Sequence, residues 1–232
     1  QEAVQSIEKA RRDRPEDQRL REILLLAHLY QGDPVRAMEE ASSLDQARRA
    51  GGALILKYAR LAQEKGKLAA AVEGYERILR GEAAPALKGQ AVFHRGQALR
   101  GLGRFTEAID AFDEAAGEAG HAVAARLEKA DLLAGQLARP EEALAVYQSA
   151  SEAMQREGAR GPGADRVRLT MADLQIRLGR PGDAAAIYED LAAHASEAEA
   201  RAQAQFRAGE MLFFQGKLKE AQDAWYAVTD SF

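Results

Sequence analysis

The side chains in this sequence that are best suited to proton transfer or metal binding are its four histidines, His28, His94, His121 and His194. A metal site on a helix usually pairs two histidines three or four residues apart with a carboxylate. No two of these histidines have that spacing. The sequence also contains no cysteine, which excludes thiolate ligands and thiol nucleophiles. We therefore predict no metal site.

Adjacent carboxylates are the next candidates for acid–base chemistry. Glu39 and Glu40, like Glu141 and Glu142, are neighbours in sequence, and neighbouring residues on a helix point in different directions. General acid–base catalysis needs groups that converge on one substrate. Phosphate-loop, dinucleotide-binding and nucleophile-elbow motifs are absent, and the GPG at 161–163 has the character of a loop between helices. The sequence therefore predicts neither an enzyme nor a cofactor.

The composition is that of a folded protein with a mild excess of acid. Of the 232 residues 47% are hydrophobic and 29% are charged, and the net charge is −4. Nucleic-acid binding depends on a net basic face, so we expect no nucleic-acid partner. No apolar run approaches the roughly 20 residues that cross a bilayer, so we expect no direct membrane insertion. No targeting segment is recognisable within the chain, which leaves its compartment open.

The stretch GRFTEAIDAF at residues 103–112 belongs to a pattern that returns along the whole chain. The pattern is a glycine, an apolar residue or proline at +2, an alanine at +5, an aromatic or aliphatic residue at +9 and a small or aliphatic residue at +12. Two copies are weaker, because Ala138 replaces the glycine of the fourth and Ala41 the aromatic residue of the first. Such a period predicts a repeat protein. The six marker alanines, 34 to 41 residues apart, are Ala37, Ala71, Ala108, Ala143, Ala184 and Ala221.

Each copy carries the signals of a helical hairpin. Glycine readily adopts the left-handed conformation at a helix C-terminus, and proline at +2 suits the first turn of the next helix. Positions +5, +9 and +12 share one face of that second helix. A small residue recurs twelve positions before the marker alanine, except at Leu25 and Asp131, so we expect the paired helices to touch closely. The extra residues 158–163 are predicted to form a surface loop.

These residues resemble the tetratricopeptide repeat (TPR), a unit of about 34 residues with the same small, glycine, alanine and aromatic positions. The resemblance covers essentially the whole chain. It implies an all-α fold, a right-handed superhelical solenoid of antiparallel helix pairs with about 13 helices. We expect the chain to be a fragment of a longer protein that self-associates through uncapped ends. The single array, 1–232, divides into a half-repeat with only its second helix, three repeats, a fourth repeat with its loop, and two further repeats: 1–15, 17–48, 52–81, 86–118, 121–157 with 158–163, 164–195 and 198–232.

In TPR proteins the first helices line a concave groove. The resemblance carries this role to positions 15, 11 and 8 residues before the marker alanines and to three flanking residues. We expect this groove to be basic and polar in the second and third repeats, and apolar with carboxylates in the fifth and sixth. The implied partner-binding residues are Leu56, Arg60, Gln63, Phe93, His94, Gln97, Arg100, Glu128, Leu132, Leu169, Asp173, Ile176, Arg177, Phe206, Arg207, Glu210 and Phe213.

The aromatic residues at +9 have two interpretations. They could form a stacking ladder for bases or sugars, but their position on the helix-packing face favours a core role. They are Tyr75, Phe112, Tyr147, Tyr188 and Trp225.

A groove with arginine and aromatic side chains suits a protein or peptide partner, so we predict a non-catalytic protein-protein interaction scaffold. TPR proteins that clamp the C-terminal carboxylate of chaperones use groove asparagines, and this sequence has no asparagine. The last repeat, at 204–232, resembles those of bacterial envelope proteins, so one alternative is a role in an outer-membrane assembly, a Tol-Pal-like complex or a polysaccharide-export complex. Another is an accessory domain of an enzyme whose catalytic part lies elsewhere. The Ala- and Arg-rich composition is typical of a bacterial protein of the cytoplasm or periplasm.

Overall fold

The computed structural model describes residues 2–81, 83–118 and 120–230. Residue 1 of the predicted half-repeat and residues 231–232 of the sixth repeat lie outside this part. The predicted all-α fold with about 13 helices is confirmed, and the described residues contain no strand. The helices are α1 (Glu2–Asp13), α2 (Gln18–Gln31), α3 (Pro34–Arg48), α4 (Ala53–Glu64), α5 (Leu68–Arg80), α6 (Pro85–Gly101), α7 (Phe105–Ala115), α8 (Ala122–Ala134), α9 (Pro140–Arg156), α10 (Pro162–Arg177), α11 (Pro181–His194), α12 (Ala198–Phe214) and α13 (Leu218–Asp230).

Left-handed residues end the first helix of each hairpin, as the repeat pattern predicts. The backbone φ lies between +69° and +80° at the five glycines of the turns, and a Cβ would be strained there. The fourth copy has Ala138 in the same place, with a φ of +51°. An L-residue with a side chain pays about 1–2 kcal/mol for this conformation. The five glycines are Gly32, Gly66, Gly103, Gly179 and Gly216.

Prolines begin five of the helices. The sequence predicted this for Pro34, Pro140 and Pro181, and the structure adds Pro85 and Pro162. Proline suits this place because its missing N–H would have no partner in the first turn. Since α10 starts at Pro162, the connection between α9 and α10 covers 157–161 instead of the predicted 158–163.

The chain forms two compact units, residues 1–128 and 129–232, whose division lies inside α8. In the first unit α2 packs against α3, α4 against α5, and α6 against α7. In the second unit α10 packs against α11, and α12 against α13. The second helix of a pair also contacts the first helix of the next, as α5 does with α6 and α11 with α12. Each unit is therefore a stack of antiparallel hairpins.

The core of each hairpin depends on residues that are 16 positions apart. A Cβ added to Gly96 would lie 2.6 Å from the Phe112 ring, and one on Gly209 would lie 2.4 Å from Nε1 of Trp225. The six marker alanines are wholly buried. Tyr75, Phe112 and Tyr188 are wholly buried as well, and such a side chain contributes about 1.5–3 kcal/mol. The core interpretation of these three aromatic residues is therefore correct.

The described helices were also compared with the dimensions of a bilayer. None of those between residues 2 and 230 has an apolar stretch long enough to span one.

Candidate functional site

Side chains of three first helices are joined in the first unit. The Gln63 side chain on α4 donates from Nε2 to Oε1 of Gln97 on α6, at 3.5 Å. Gln97 in turn donates from Nε2 to Oε1 of Glu128 on α8, at 2.7 Å. Arg100 binds the other oxygen of the same carboxylate. We call Arg60, Gln63, His94, Gln97, Arg100 and Glu128 the first-unit stripe.

His94 occupies the middle of the first-unit stripe. Its Nδ1 lies 3.1 Å from Oε1 of Gln97. Because the Gln97 amide nitrogen already donates to Glu128, Oε1 is an acceptor and Nδ1 of His94 carries the proton. Burial lowers the pKa of His94 from its ordinary value of 6.5, and the nearby charges of Arg60 and His121 lower it further, while the Gln97 hydrogen bond opposes them. His94 is therefore a neutral donor at pH 7, and Nε2 is left as an acceptor.

Aromatic rings fix the position of this imidazole. His94 stacks on Tyr75 with a centroid distance of 6.0 Å, and Phe93 meets it edge-on at 5.5 Å. Phe93 also stacks on His121 at 5.2 Å and contacts Phe112 at 6.3 Å. Phe93 is half-buried, so most of its role is to hold the stripe against the core.

Arg60 is the exposed cation of the first-unit stripe. Among the residues that the structure describes, no carboxylate forms an ion pair with it. It borders a surface cavity of about 420 Å³ that Leu56, Lys57 and Glu64 also line. Its guanidinium group is therefore available to an incoming acceptor, such as a carboxylate or a backbone carbonyl.

Two of the predicted groove residues are not available in this way. Leu132 on α8 is wholly buried, and Leu56 on α4 is only 7% exposed. Both side chains belong mainly to the core, because their positions on the first helices face the neighbouring helix. A partner could reach little more than the edge of Leu56.

In the second unit the predicted residues lie on α10 and α12, which contact each other. Asp173 is exposed and accepts a hydrogen bond from the hydroxyl of Tyr188 at 2.5 Å. On α12, Arg207 donates to Glu210 at 2.9 Å, and this hydrogen bond raises the pKa of Arg207. Asp173 is close enough to Arg207 to raise that pKa further. These three groups form a mixed-charge cluster.

Apolar groove residues of the second unit fall into two groups. Leu169 and Ile176 on α10 are partly buried against the core. Phe206 and Phe213 on α12 are exposed and lie 6.3 Å and 5.9 Å from the Trp225 ring, measured between centroids. The last predicted residue, Arg177, is exposed at the end of α10.

Sequence reasoning missed how the core aromatics connect with the first helices. The hydroxyl of Tyr75 donates to Oε1 of Gln63 at 2.7 Å, and that of Tyr147 donates to Asp131. Tyr188 makes the corresponding bond to Asp173. The signal was the choice of tyrosine where phenylalanine fills the same space, as at Phe112. A buried tyrosine needs a partner for its hydroxyl, so three copies tie their core to a side chain on the first helix.

Two buried carboxylates were also missed. Asp45 on α3 accepts hydrogen bonds from the backbone N–H groups of Gly52 and Leu54, at 2.7 Å and 2.9 Å. Asp165 on α10 accepts from the backbone and the hydroxyl of Ser196, at 2.8 Å and 2.6 Å. Each binds the segment at the start of a later first helix, which positions that helix. These bonds are structural and lie outside the predicted groove residues.

Comparisons with known proteins agree with this architecture. The family model for soluble NSF attachment proteins (SNAP) matches residues 82–216, which is more than half of the chain. A sequence comparison with curated proteins finds no match. Among solved structures, BtubC (BKLC) from P. vanneervenii is similar with a TM-score of 0.60 and 19% identity, over 89% of this chain and 90% of that one. YrrB, described as a TPR protein with an unusual peptide-binding site, has a TM-score of 0.57 and 17% identity, over 84% and 93%. The TPR-type helical repeat fold implied by the sequence is therefore confirmed.

Proposed function

The chain belongs to the soluble NSF attachment protein (SNAP) family, and on this premise we propose that it is a non-catalytic scaffold that binds a protein or peptide partner. Folds of this type generally serve as protein-interaction scaffolds and are typically non-catalytic. The family name describes a role in attachment for its members, and YrrB is described as having a peptide-binding site. A binding role for this chain is in line with both.

The observation that carries the proposal is the first-unit stripe. Its side chains come from three consecutive first helices and are held by hydrogen bonds between Gln63, Gln97 and Glu128. Polar groups that are already ordered lose little conformational entropy when a partner binds. Arg60 adds an exposed charge without an ion-pair partner among the described residues. Such a row of fixed donors and acceptors suits an extended peptide, whose backbone offers the complementary groups.

The second unit offers a different surface. Its stripe combines the carboxylates of Asp173 and Glu210 with the guanidinium group of Arg207. A partner that spans α10 and α12 would meet charges of both signs there. We therefore assign the first contact to the first-unit stripe, where Arg60 has no such competition.

The two alternative roles remain predictions from the sequence. A cell-envelope assembly and an enzyme accessory domain would both use a partner-binding surface, and no contact in the structure favours either over a general scaffold.

A peptide selection tests the proposal directly. A library of random peptides displayed on phage is selected against the immobilised protein, and the dissociation constants of the enriched peptides are measured by calorimetry. We expect Arg60→Ala to weaken binding about tenfold, which corresponds to about 1.4 kcal/mol, and Gln97→Ala to weaken it to a similar degree. Because Arg60 is exposed, its replacement should leave the melting temperature nearly unchanged.

The matched control is Arg80→Ala, which removes an equally exposed arginine from the second helix α5. Its affinity for the same peptides should equal that of the wild type. Selected peptides that bind wild type, Arg60→Ala and Gln97→Ala equally well would contradict the proposal. So would amide protection that appears on second helices and not on α4 and α6.

A further inference from the structure

An exposed apolar face lies on the last two helices of the second unit. On α12 it is formed by residues seven positions apart, and on α13 by another such pair, with one flanking residue on each helix. Five of the six side chains are between 48% and 77% exposed, and the sixth, Trp225, is half-buried. We call this the aromatic face: Phe206, Phe213, Phe214, Leu218, Trp225 and Tyr226.

The rings of this face form one continuous cluster. Trp225 lies 6.3 Å from Phe206 and 5.9 Å from Phe213, and Phe213 lies 6.0 Å from Phe214, measured between ring centroids. The indole N–H donates to the backbone oxygen of Phe206 at 3.2 Å, so the indole plane is fixed. The face is therefore preorganised for an apolar partner.

Equivalent positions in an inner repeat are covered by a helix. Leu68 on α5 corresponds to Leu218, and it packs so closely on α6 that a Cβ on Gly101 would lie 2.7 Å from its Cδ1. Tyr75 corresponds to Trp225, and it is wholly buried and stacks on His94 of α6. On α13 no helix of the described residues covers this side.

The exposed area is close to what a weak dimer needs. An aromatic side chain can bury about 150–250 Å². At the exposures above, the aromatic face offers about 500–600 Å² in one chain, so two copies face to face would bury about 1,000–1,200 Å². That total lies at the lower limit of specific interfaces. The area also lies near the upper end of the roughly 300–600 Å² expected for the largest apolar patch of a monomer.

The charges around the aromatic face favour a second copy over a partner with charge of one sign. Three cations and three anions alternate along the rim, and one ion pair, Arg207 with Glu210, is already formed. A rim of balanced charge is complementary to itself when two copies meet about a twofold axis, because each cation can face an anion of the other copy. The six are Arg207, Lys217, Lys219, Glu210, Glu220 and Asp223.

We propose that a second copy of this chain docks on the aromatic face, so that α12 and α13 of two chains form an isologous dimer. This goes beyond the proposed function and does not use the first-unit stripe. Variants of Arg60 and variants of the aromatic face are therefore separate tests, and either proposal can fail while the other holds.

Sedimentation equilibrium measures the dimer directly. Between about 10 µM and about 1 mM, the wild-type protein should pass from the mass of one chain toward twice that mass. Leu218→Glu and Phe214→Glu should each raise the dimer dissociation constant about tenfold or more, since both place a charge in the apolar contact. Both side chains are exposed, so circular dichroism should show unchanged helix content and melting temperature. The matched control is Tyr30→Glu, which alters an equally exposed aromatic residue on α2 and should leave the dimer intact.

Chemical cross-linking gives an independent readout, because the natural sequence has no cysteine. Gln222→Cys places one thiol within the aromatic face, and a short bismaleimide should link two such chains into a covalent dimer. Tyr30→Cys should give little cross-linked product. A protein that stays monomeric to about 1 mM overturns the proposal, as does a dimer that survives both glutamate variants. Cross-linking of Tyr30→Cys in preference to Gln222→Cys would also overturn it. Binding of an apolar peptide by a strictly monomeric chain would identify a different occupant.

Discussion

The indole of Trp225 lies directly over Gly209, with no room between them for another atom. A Cβ on Gly209 would lie 2.4 Å from Nε1 and 2.7 Å from Cδ1 of the indole. Phe112 has the same relationship to Gly96, where the closest distance would be 2.6 Å. Both pairs are 16 residues apart, and in both the glycine lies on the first helix of a hairpin. The absence of a single methyl group therefore sets the distance between the paired helices.

Gly96→Ala should destabilise the protein. The new methyl group overlaps the Phe112 ring, which is wholly buried and has no free volume to move into. Overpacking of this kind costs about 1–3 kcal/mol. Urea denaturation followed by circular dichroism at 222 nm would measure the loss as a lower midpoint with an unchanged slope.

Gly182→Ala is the matched control for this substitution. Gly182 lies in the first turn of α11, has an ordinary helical φ, and an added Cβ would have nothing within 4 Å. Here alanine should be neutral or stabilising by up to about 1 kcal/mol, since it restricts the unfolded chain. If Gly96→Ala and Gly182→Ala gave the same midpoint, the close packing on Phe112 would not matter for stability.

Much of the hairpin core could be predicted because small and aromatic residues alternate at fixed spacing. The first copy reverses the sizes: Leu25 stands at the small position, Ala41 at the aromatic one, and both are wholly buried. The sequence gave both as departures, but the idea that one offsets the other needed the packing of α2 on α3. Asp131 was the other departure, and its reason is a hydrogen bond from Tyr147. A spacing rule cannot find that bond, since it depends on where the hydroxyl ends.

Ala138→Gly should stabilise the protein. Ala138 holds a φ of +51° at the turn where the other copies place glycine, and the left-handed conformation is unfavourable for a residue with a Cβ. Relief of this strain exceeds the extra entropy that glycine gains in the unfolded chain, so we expect a gain of about 1 kcal/mol. Thermal denaturation should show a higher melting temperature.

The reverse substitution, Gly103→Ala, checks the same argument. Gly103 has a φ of +74° and nothing within 4 Å of an added Cβ, so only backbone strain changes. We expect a loss of about 1–2 kcal/mol. A gain at Gly103 or a loss at Ala138 would be incompatible with a left-handed turn at either site.

Stability should fall at alkaline pH because of three buried tyrosines. Burial raises the pKa of Tyr75, Tyr147 and Tyr188 above the ordinary value of 10.0, and hydrogen bonds to Asp131 and Asp173 raise it further for the last two. Above pH 10 the unfolded chain loses these protons first, so it binds fewer protons than the folded chain. The contribution is fully present below pH 10 and is lost as the pH rises toward the folded pKa, by up to about 1.4 kcal/mol per pH unit for each tyrosine.

Urea denaturation between about pH 9 and about pH 11.5 measures this slope. Tyr147→Phe and Tyr188→Phe should make it shallower, while Tyr30→Phe on an exposed side chain should not change it. Equal slopes for all three variants would mean that the buried hydroxyls do not carry the alkaline sensitivity.

The candidate groove was less predictable than the fold. The resemblance to TPR proteins gives the helix and the position, and this brings Gln63, Gln97 and Glu128 together as expected for one face. It does not give the depth of a side chain, and Leu132 is buried because its position on α8 faces a neighbouring helix. Nor does it give the order of the hydrogen bonds, which depends on side-chain length. Exposure of this kind follows only from the packing of three or four helices at once.

His94 should make the protein less stable at mildly acidic pH. Its pKa is lowered from 6.5 by burial, with Arg60 of α4 and His121 adding to the effect, so the unfolded chain takes up a proton before the folded one does. Stability is therefore fully present above pH 6.5 and is lost as the pH falls toward the folded pKa, by at most about 1.4 kcal/mol per pH unit from this residue. His94→Gln removes the titrating group and should flatten the profile between about pH 6.5 and about pH 5. The matched control, His194→Gln, replaces an exposed imidazole that pairs with Asp190 and should keep the wild-type slope. An NMR titration of His94 with a midpoint at or above 6.5 would contradict the burial argument, because a ring that gains its proton as easily as in water cannot make the fold sensitive to acid.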